Sequence, residues 1–513
     1  MSLLLVDVLA HEVFLRAGAE VLTGPVPQGR QVRWVHSTEV YEVAEHSLLP
    51  VPDSARTSTA AHQFWIWTGA NIAPINWVLG ALGIQLGLSL WQTIGVLVAG
   101  NVLGMAVFGF FVLMGQRTGV SQMVLSRSAY GRRGAYLPAA MQGLLSAGWC
   151  AVNTWIVLDL VVALFGKVGI HGGTGLKIAI AAVVMAIQVV IAATGFRAIA
   201  RFERWTVPVT LVVLLAMTAV AWTHTGVHWG FQGDGLHGTA LWSAMSTIMT
   251  AIGVGWGITW FAYASDYSRF VPRDMPRRRL YLASVLGQFL PTVWLGIFGA
   301  TLATVSQTVD PGELVVQSFG VLAIPVILLV IHGPIATNVL NIYSCSLCAQ
   351  TLDWNVDRRR LSYGVGVAAL VFTLYLVVQD NFAQSLDAWL GGLVTWVAPW
   401  ATVMLLHYYW VQRERIDVHL LFDDPRESRI PAVLWPAVVA LVVGMFATWT
   451  AEFGVVTWLQ GPLAKALGGV DLSWLVGSVA AAVVYLALRP RRTGAGTPAS
   501  GDPALSVTGS EPV

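Results

Sequence analysis

Charge is what this sequence lacks most. Asp, Glu, Lys and Arg make up only 11% of the 513 residues, against about 25% in an average soluble domain. A water-soluble body of this size needs far more polar surface, so a soluble enzyme is excluded. The net charge is +2, and 29 Lys and Arg are spread over the whole length. No basic groove can be assembled from them, which excludes nucleic acid as a partner. Cysteine is also scarce. Cys150, Cys345 and Cys348 are too few for a disulfide framework, and the CSLC run at 345–348 has no second Cys/His pair to complete a zinc site. They read as small buried hydrophobes. GxSxG, HExxH and the Walker glycine loop are absent, so neither a catalytic set nor ATP-driven transport is expected, and no cofactor is implied.

What the chain does have is apolar length. Hydrophobic residues make up 56% of it and the mean hydropathy is +0.67. A membrane helix needs about 20 apolar residues. Twelve windows qualify: 64–85, 91–114, 137–166, 176–195, 205–223, 240–264, 281–304, 317–343, 362–379, 386–410, 431–450 and 472–488. The expectation is an all-α integral membrane protein with twelve transmembrane helices and both termini on one side. Charge asymmetry names the side. With the N-terminus inside, 26 Arg fall in inner segments and only Lys167, Lys177 and Lys465 outside. One missed span would invert every later loop and destroy this split. Both termini are therefore expected in the cytoplasm, and the protein in the cell (inner) membrane. Residues 1–30 carry acidic residues and lack a clean apolar core, so no cleaved signal peptide is expected. Residues 1–60 read as a cytoplasmic N-terminal segment and 61–489 as the transporter domain. Residues 490–513, rich in Gly, Pro, Ser and Thr, read as a disordered tail.

Two windows suit continuous helix poorly. The first carries TGANIAPIN at 68–76, the sixth GVGWGITW at 253–260 with Gly253, Gly255 and Gly257. These are corresponding members of two five-helix halves. Interrupted segments at matching positions point to an inverted-repeat transporter, with freed backbone facing a mid-membrane cavity. The two halves share no visible sequence identity.

Polar residues inside the windows mark candidates. Trp149 and Asn153 are four residues apart and share a helix face. An indole can stack on a flat heteroaromatic ring and a carboxamide can read its edge. The alternative is a Trp packed on lipid and an Asn bonded across helices. Trp260 sits just past the glycines of the sixth window. Asn338 and Asn341 lie in HGPIATNVLNIYS at 332–344 and should face the bundle, as ligand contacts or as interhelical glue. His332 and Asp159 are ionisable residues inside windows and proton-carrying candidates. Asp159 has a second reading as a solvated residue near the outer surface. Asp266, close to Arg269, reads as a local cap or ion pair.

Several runs are familiar together. WQTIGVLVAGNVLG at 91–104, RTGVSQMVLSRSAYGRRGAYLPA at 117–139, GWCAVNTW at 148–155, FAYASDYSRFVP at 261–272 and NIYS at 341–344 resemble the nucleobase:cation symporter-1 family, in its purine–cytosine permease branch. The resemblance covers about residues 50 to 460. It implies a LeuT-type 5+5 inverted repeat with discontinuous helices 1 and 6, and import of a nucleobase or related planar heterocycle driven by protons or sodium. It also implies that the substrate lies between Trp149 and Trp260, read by Asn153 and Asn341. Ala70 and Asn71 would complete the pocket. Fungal cytosine–purine members have Pro before the Asn of span 8, where this chain has Leu340. Sodium-coupled members use hydroxyls about a turn earlier. The stretch here is Ile335, Ala336, Thr337, so only Thr337 offers an oxygen, which favours proton coupling. VRWVHSTEVYEVA at 32–44, after AGAEVLTG at 17–24, resembles the start of the N-terminal domain of purine-catabolism regulators and is too short to be all of it.

The expected function is secondary-active import of a nucleobase-like heterocycle, with a small molecule and the lipid bilayer as partners. The alternative within the class is sodium-coupled transport of allantoin- or hydantoin-like compounds. A channel would lack a saturable site. A membrane sensor would use residues 1–45 for output. A membrane enzyme is disfavoured by the lack of clustered His or paired intramembrane Asp.

Overall fold

Helix boundaries follow local chemistry. The computed structural model describes residues 49–489, apart from 225, 306–322, 355, 379–381 and 455. The regulator-like fragment and the C-terminal tail lie outside the described residues. Helix α1 (Ala60–Asn71) opens on a reciprocal cap, in which Thr59 and His62 exchange bonds between side chain and backbone. After α2 (Ile75–Gln85), Ser89 and Gln92 do the same for α3 (Leu90–Thr118), which ends on Gly119 at φ 75°. Next come α4 (Gln122–Tyr130), α5 (Tyr136–Lys167), α6 (Thr174–Thr194), α7 (Phe196–His224) and α8 (Gly238–Ile248). A π-wound segment, Met249–Val254, leads into α9 (Gly255–Phe261), α10 (Ala264–Ser268) and α11 (Arg277–Ala303). The chain finishes with α12 (Ala323–Val330), α13 (His332–Thr351), α14 (Arg358–Val378), α15 (Phe382–Leu405), α16 (Trp435–Thr450), α17 (Pro462–Ala466) and α18 (Ser473–Leu488).

Each of the twelve windows holds helix, but length and composition alone qualify seven helices among the described residues to cross a membrane. The others are shorter, broken or partly undescribed. Large apolar side chains stay on the outside, among them Val212, Val367, Val371 and Phe446. Such a surface is stable only against hydrocarbon, so this is a multi-pass membrane protein.

The first window is broken as the sequence predicts. Helix α1 stops at Asn71, Ile72 and Ala73 are non-helical, and Pro74 opens α2. Proline brings no N–H and ends the preceding helix. The freed carbonyls are taken up locally. Asn76 Nδ2 donates to the Asn71 carbonyl at 2.6 Å, and Thr337 Oγ1 lies 2.8 Å from that of Ala70.

The sixth window differs from expectation. Its glycines do not interrupt the helix. The chain passes Gly253 in the π-wound turn and runs through Gly255 and Gly257 as α9, breaking later at Ala262–Tyr263. Gly257 serves packing instead: a Cβ there would lie 2.5 Å from the Gly104 backbone of α3. The glycine pair lets two backbones touch, as small residues do between membrane helices.

Around these breaks, α13 packs along α5, while α11 packs on α1, α2 and α3, and α16 pairs with α18. The long core helices therefore hold the broken ones from both sides.

Candidate functional site

Trp149, Asn153, Trp256, Thr259, Trp260, Thr337 and Asn341 surround a nearly closed cavity of ≈10 Å³, room for about one water. Helix α5 contributes Trp149 and Asn153 one turn apart. Helix α9 contributes Trp256 and Trp260 by the same spacing, and α13 contributes Thr337 and Asn341. Three helices thus each present an i, i+4 pair to one point. All seven side chains are at least nine-tenths buried.

The aromatic walls are fixed by their neighbours. Trp149 meets Trp256 edge to face, with ring centroids 5.5 Å apart at 82°. Trp260 meets Trp67 of α1 in the same manner at 5.6 Å and leans on Tyr263 at 5.3 Å. Trp256 Nε1 donates to Asn71 Oδ1 at 2.7 Å. Asn71 also receives Thr292 Oγ1 at 3.2 Å and donates to the Trp67 carbonyl at 2.7 Å. Asn71 therefore holds a wall of the cavity from behind and does not line it.

Asn338 organises the amides. Its Nδ2 lies 2.8 Å from the Cys150 carbonyl, 3.0 Å from Thr154 Oγ1 and 3.1 Å from Gln188 Oε1. Its Oδ1 accepts from Asn153 Nδ2 at 3.1 Å and Asn341 Nδ2 at 3.4 Å. This hub joins α5, α6 and α13 and aligns the two asparagines that face the cavity. Three polar atoms of the lining remain without a hydrogen bond: Trp149 Nε1, Trp260 Nε1 and Asn153 Oδ1. Buried polar atoms are nearly always satisfied. An amide acceptor between indole walls suits a flat ring whose faces meet the indoles and whose edge carries a donor.

The sequence candidates divide. Trp149, Asn153, Trp260, Asn341 and Thr337 line the cavity. Ala70 and Asn71 stand behind it. Asp159 lies six residues beyond Asn153 on α5, half-buried and away from the lining. His332, at the start of α13, is also away from it; Nδ1 is 3.3 Å from Thr210 Oγ1 and the ring rests on Phe202. Asp266 caps α4 by accepting from the Gln122 amide at 2.9 Å. Sequence reasoning missed Trp256, although it lies four residues before Trp260 and so on the same face. It also missed Glu203, placed in a loop because the fifth window began at 205. Helix α7 begins at 196 and buries Glu203 completely.

A buried polar cavity between broken helices, inside a lipid-facing bundle, defines a secondary transporter. The model of permeases for cytosine/purines, uracil, thiamine and allantoin matches residues 50–477, and the chain belongs to that family. It is 23% identical to the purine-cytosine permease fcyB of Emericella nidulans, over 87% of this chain and 88% of that protein. The purine-cytosine permease FCY2 of Saccharomyces cerevisiae is also 23% identical, with 90% and 89% covered. Among solved structures it is similar to Mhp1, a nucleobase-cation-symport-1 transporter in a closed conformation with bromovinylhydantoin bound. The TM-score is 0.69 at 22% identity, covering 86% of this chain and 94% of that one. The fold is thus LeuT-type, and the protein is a permease and not an enzyme.

Proposed function

We propose that this permease imports a nucleobase or closely related planar heterocycle across the cell (inner) membrane, with its arginine-rich face and both termini in the cytoplasm. The observation that carries the reading is the cavity itself, where indole walls flank Asn153, whose Oδ1 has no hydrogen-bond partner among the described residues. Trp149 and Trp260 stack on the ring, and Asn153 and Asn341 read its edge. The relatives named purine-cytosine permeases support the same substrate class.

Proton coupling fits better than sodium coupling. In the stretch 335–337 only Thr337 carries a hydroxyl, so few side-chain oxygens are on offer to a sodium ion. Residues 61–489 form the transport domain on this reading.

The test is uptake of labelled cytosine, adenine, hypoxanthine, uracil and allantoin into proteoliposomes at varied pH and sodium. Saturable uptake of a base, competed by its relatives and abolished by a protonophore, is the expected result. Non-saturating flux would identify a channel, and uptake of allantoin alone with sodium would identify the hydantoin-like alternative.

A further inference from the structure

Glu203 is fully buried in the bundle, and neither carboxylate oxygen has a hydrogen-bond partner among the described residues. It lies on the inward stripe of α7 that runs Ile199, Glu203, Val207, Thr210, Leu214, Met217 and Ala221, all buried. The stripe packs against α1, and the contact is intimate. A Cβ on Gly69 would sit 1.7 Å from Glu203 Oε2 and 2.8 Å from Val207 Cγ2. Glycine at 69 is therefore the space in which the carboxyl rests.

Charged and titratable groups on every neighbouring helix leave it alone. Helix α1 offers His62, α6 Lys177 near its far end, and α13 His332 at its start with Tyr343, Cys345 and Cys348 further along. Helix α11 offers Arg277, Arg278, Arg279 and Tyr281, while α12 carries none. On α7 itself Arg201 and Arg204 are exposed. None of these forms an ion pair or hydrogen bond with Glu203 among the described residues. An ionised carboxylate buried with no partner is strongly disfavoured, so in this occluded arrangement the neutral acid is the stable form.

The position also links it to the cavity. Gly69 lies two residues before Asn71, whose side chain holds the Trp256 indole. Asn71 thus ties the Trp256 wall of the cavity to the last turn of α1, which covers Glu203. We infer that Glu203 is the proton carrier of the transport cycle, loaded and unloaded as the end of α1 moves. This rests on the proton-coupled reading above. The chemistry balances simply: on the outer side ionised Glu203 takes a proton from hydronium, forming one carboxyl O–H bond as one hydronium O–H bond breaks to leave water. The same bond breaks to water on the inner side, and no other reactant is required. Glu203 acts through α1 and does not touch the substrate.

The experiment uses the full chain in proteoliposomes with a pH-sensitive dye and whichever labelled base the unaltered chain accumulates best. In Glu203→Gln, a neutral mimic of the acid, exchange of internal for external base is retained. Uphill accumulation falls by about tenfold or more and base-driven proton uptake disappears. If Glu203→Gln still accumulates base with proton uptake and an unchanged pH profile, the assignment is wrong. Should that variant lose exchange as well, Glu203→Asp decides: it keeps an acid in place and must shift the pH midpoint of uptake, and an unshifted midpoint overturns the proposal. A wild-type chain that moves base with sodium and no protons would instead sink the proton-coupled reading itself.

Discussion

On the proposed function, Trp149 is the residue on which substrate affinity would turn. A base stacked on an aromatic side chain is worth about 1–3 kcal/mol, so Trp149→Ala should weaken uptake about 5- to 150-fold in KM. Trp149→Phe should recover part of that. Inhibition constants for a series of bases, with melting temperature as a folding control, check this; unchanged constants for every transported ligand would remove the stacking role. Trp149, Asn153, Trp260 and Asn341 were legible in the sequence because Trp and Asn are conspicuous inside apolar windows. Trp256 was hidden by attention to the glycines around it, although its spacing to Trp260 carried the signal. Glu203 was hidden by a window edge, since the charges of Arg201 and Arg204 masked the start of α7. The stripe from Ile199 to Ala221 was the pattern that could have found it.

The discontinuity between α1 and α2 was readable from Gly69, Asn71, Pro74 and Asn76 crowded into one window; proline alone is no such signal, since Pro208 lies inside α7 and Pro291 inside α11. What the sequence could not show is how tightly another helix seals that gap. Gly333 of α13 has no side chain, and a Cβ there would lie 1.7 Å from the Ile72 carbonyl. Gly333→Ala should therefore push α13 off the break. It should cost about 1–3 kcal/mol of stability and lower transport more than binding. Thermal unfolding in detergent alongside binding and uptake checks this, and an alanine variant with normal uptake would show that the seal is unimportant. The glycines of the sixth window misled for a related reason. Composition cannot distinguish a glycine that breaks a helix from one that lets a neighbour approach, and Gly257 against Gly104 is the second kind.

Across the whole molecule, distant segments meet at the arginine-rich end. Asp353, at φ 59°, follows α13 and receives both Nη groups of Arg132 at 2.7 and 2.8 Å. Arg127 reaches it at 3.1 Å, and Tyr136 donates to it. Arg127 also binds the Leu421 and Thr351 carbonyls, and Arg132 that of Asp423, so the clasp ties three connecting regions together. Burial pushes the Asp353 carboxyl up, but bonds from Arg132 and Tyr136 and the charges of both arginines outweigh it and hold it below the ordinary range. A lowered carboxyl stabilises the fold fully above the unfolded value, about 3.9, and that contribution fades as pH falls through the lower folded value. Melting temperature in detergent should drop in that acidic window. Asp353→Asn should be less stable at neutral pH by about 1–3 kcal/mol and show a shallower acid dependence. Parallel curves for the two proteins would count against the clasp. Hydropathy and charge placed these loops on one side, but which arginine finds which acid depends on tertiary packing that no spacing rule reaches.

Trp149 and Trp256 meet edge to face at the cavity. On the proposed function, a solute reaches the Trp149 face only by parting this pair. Measured binding is then always a contest between guest and resident ring, which penalises thin or weakly polarisable guests.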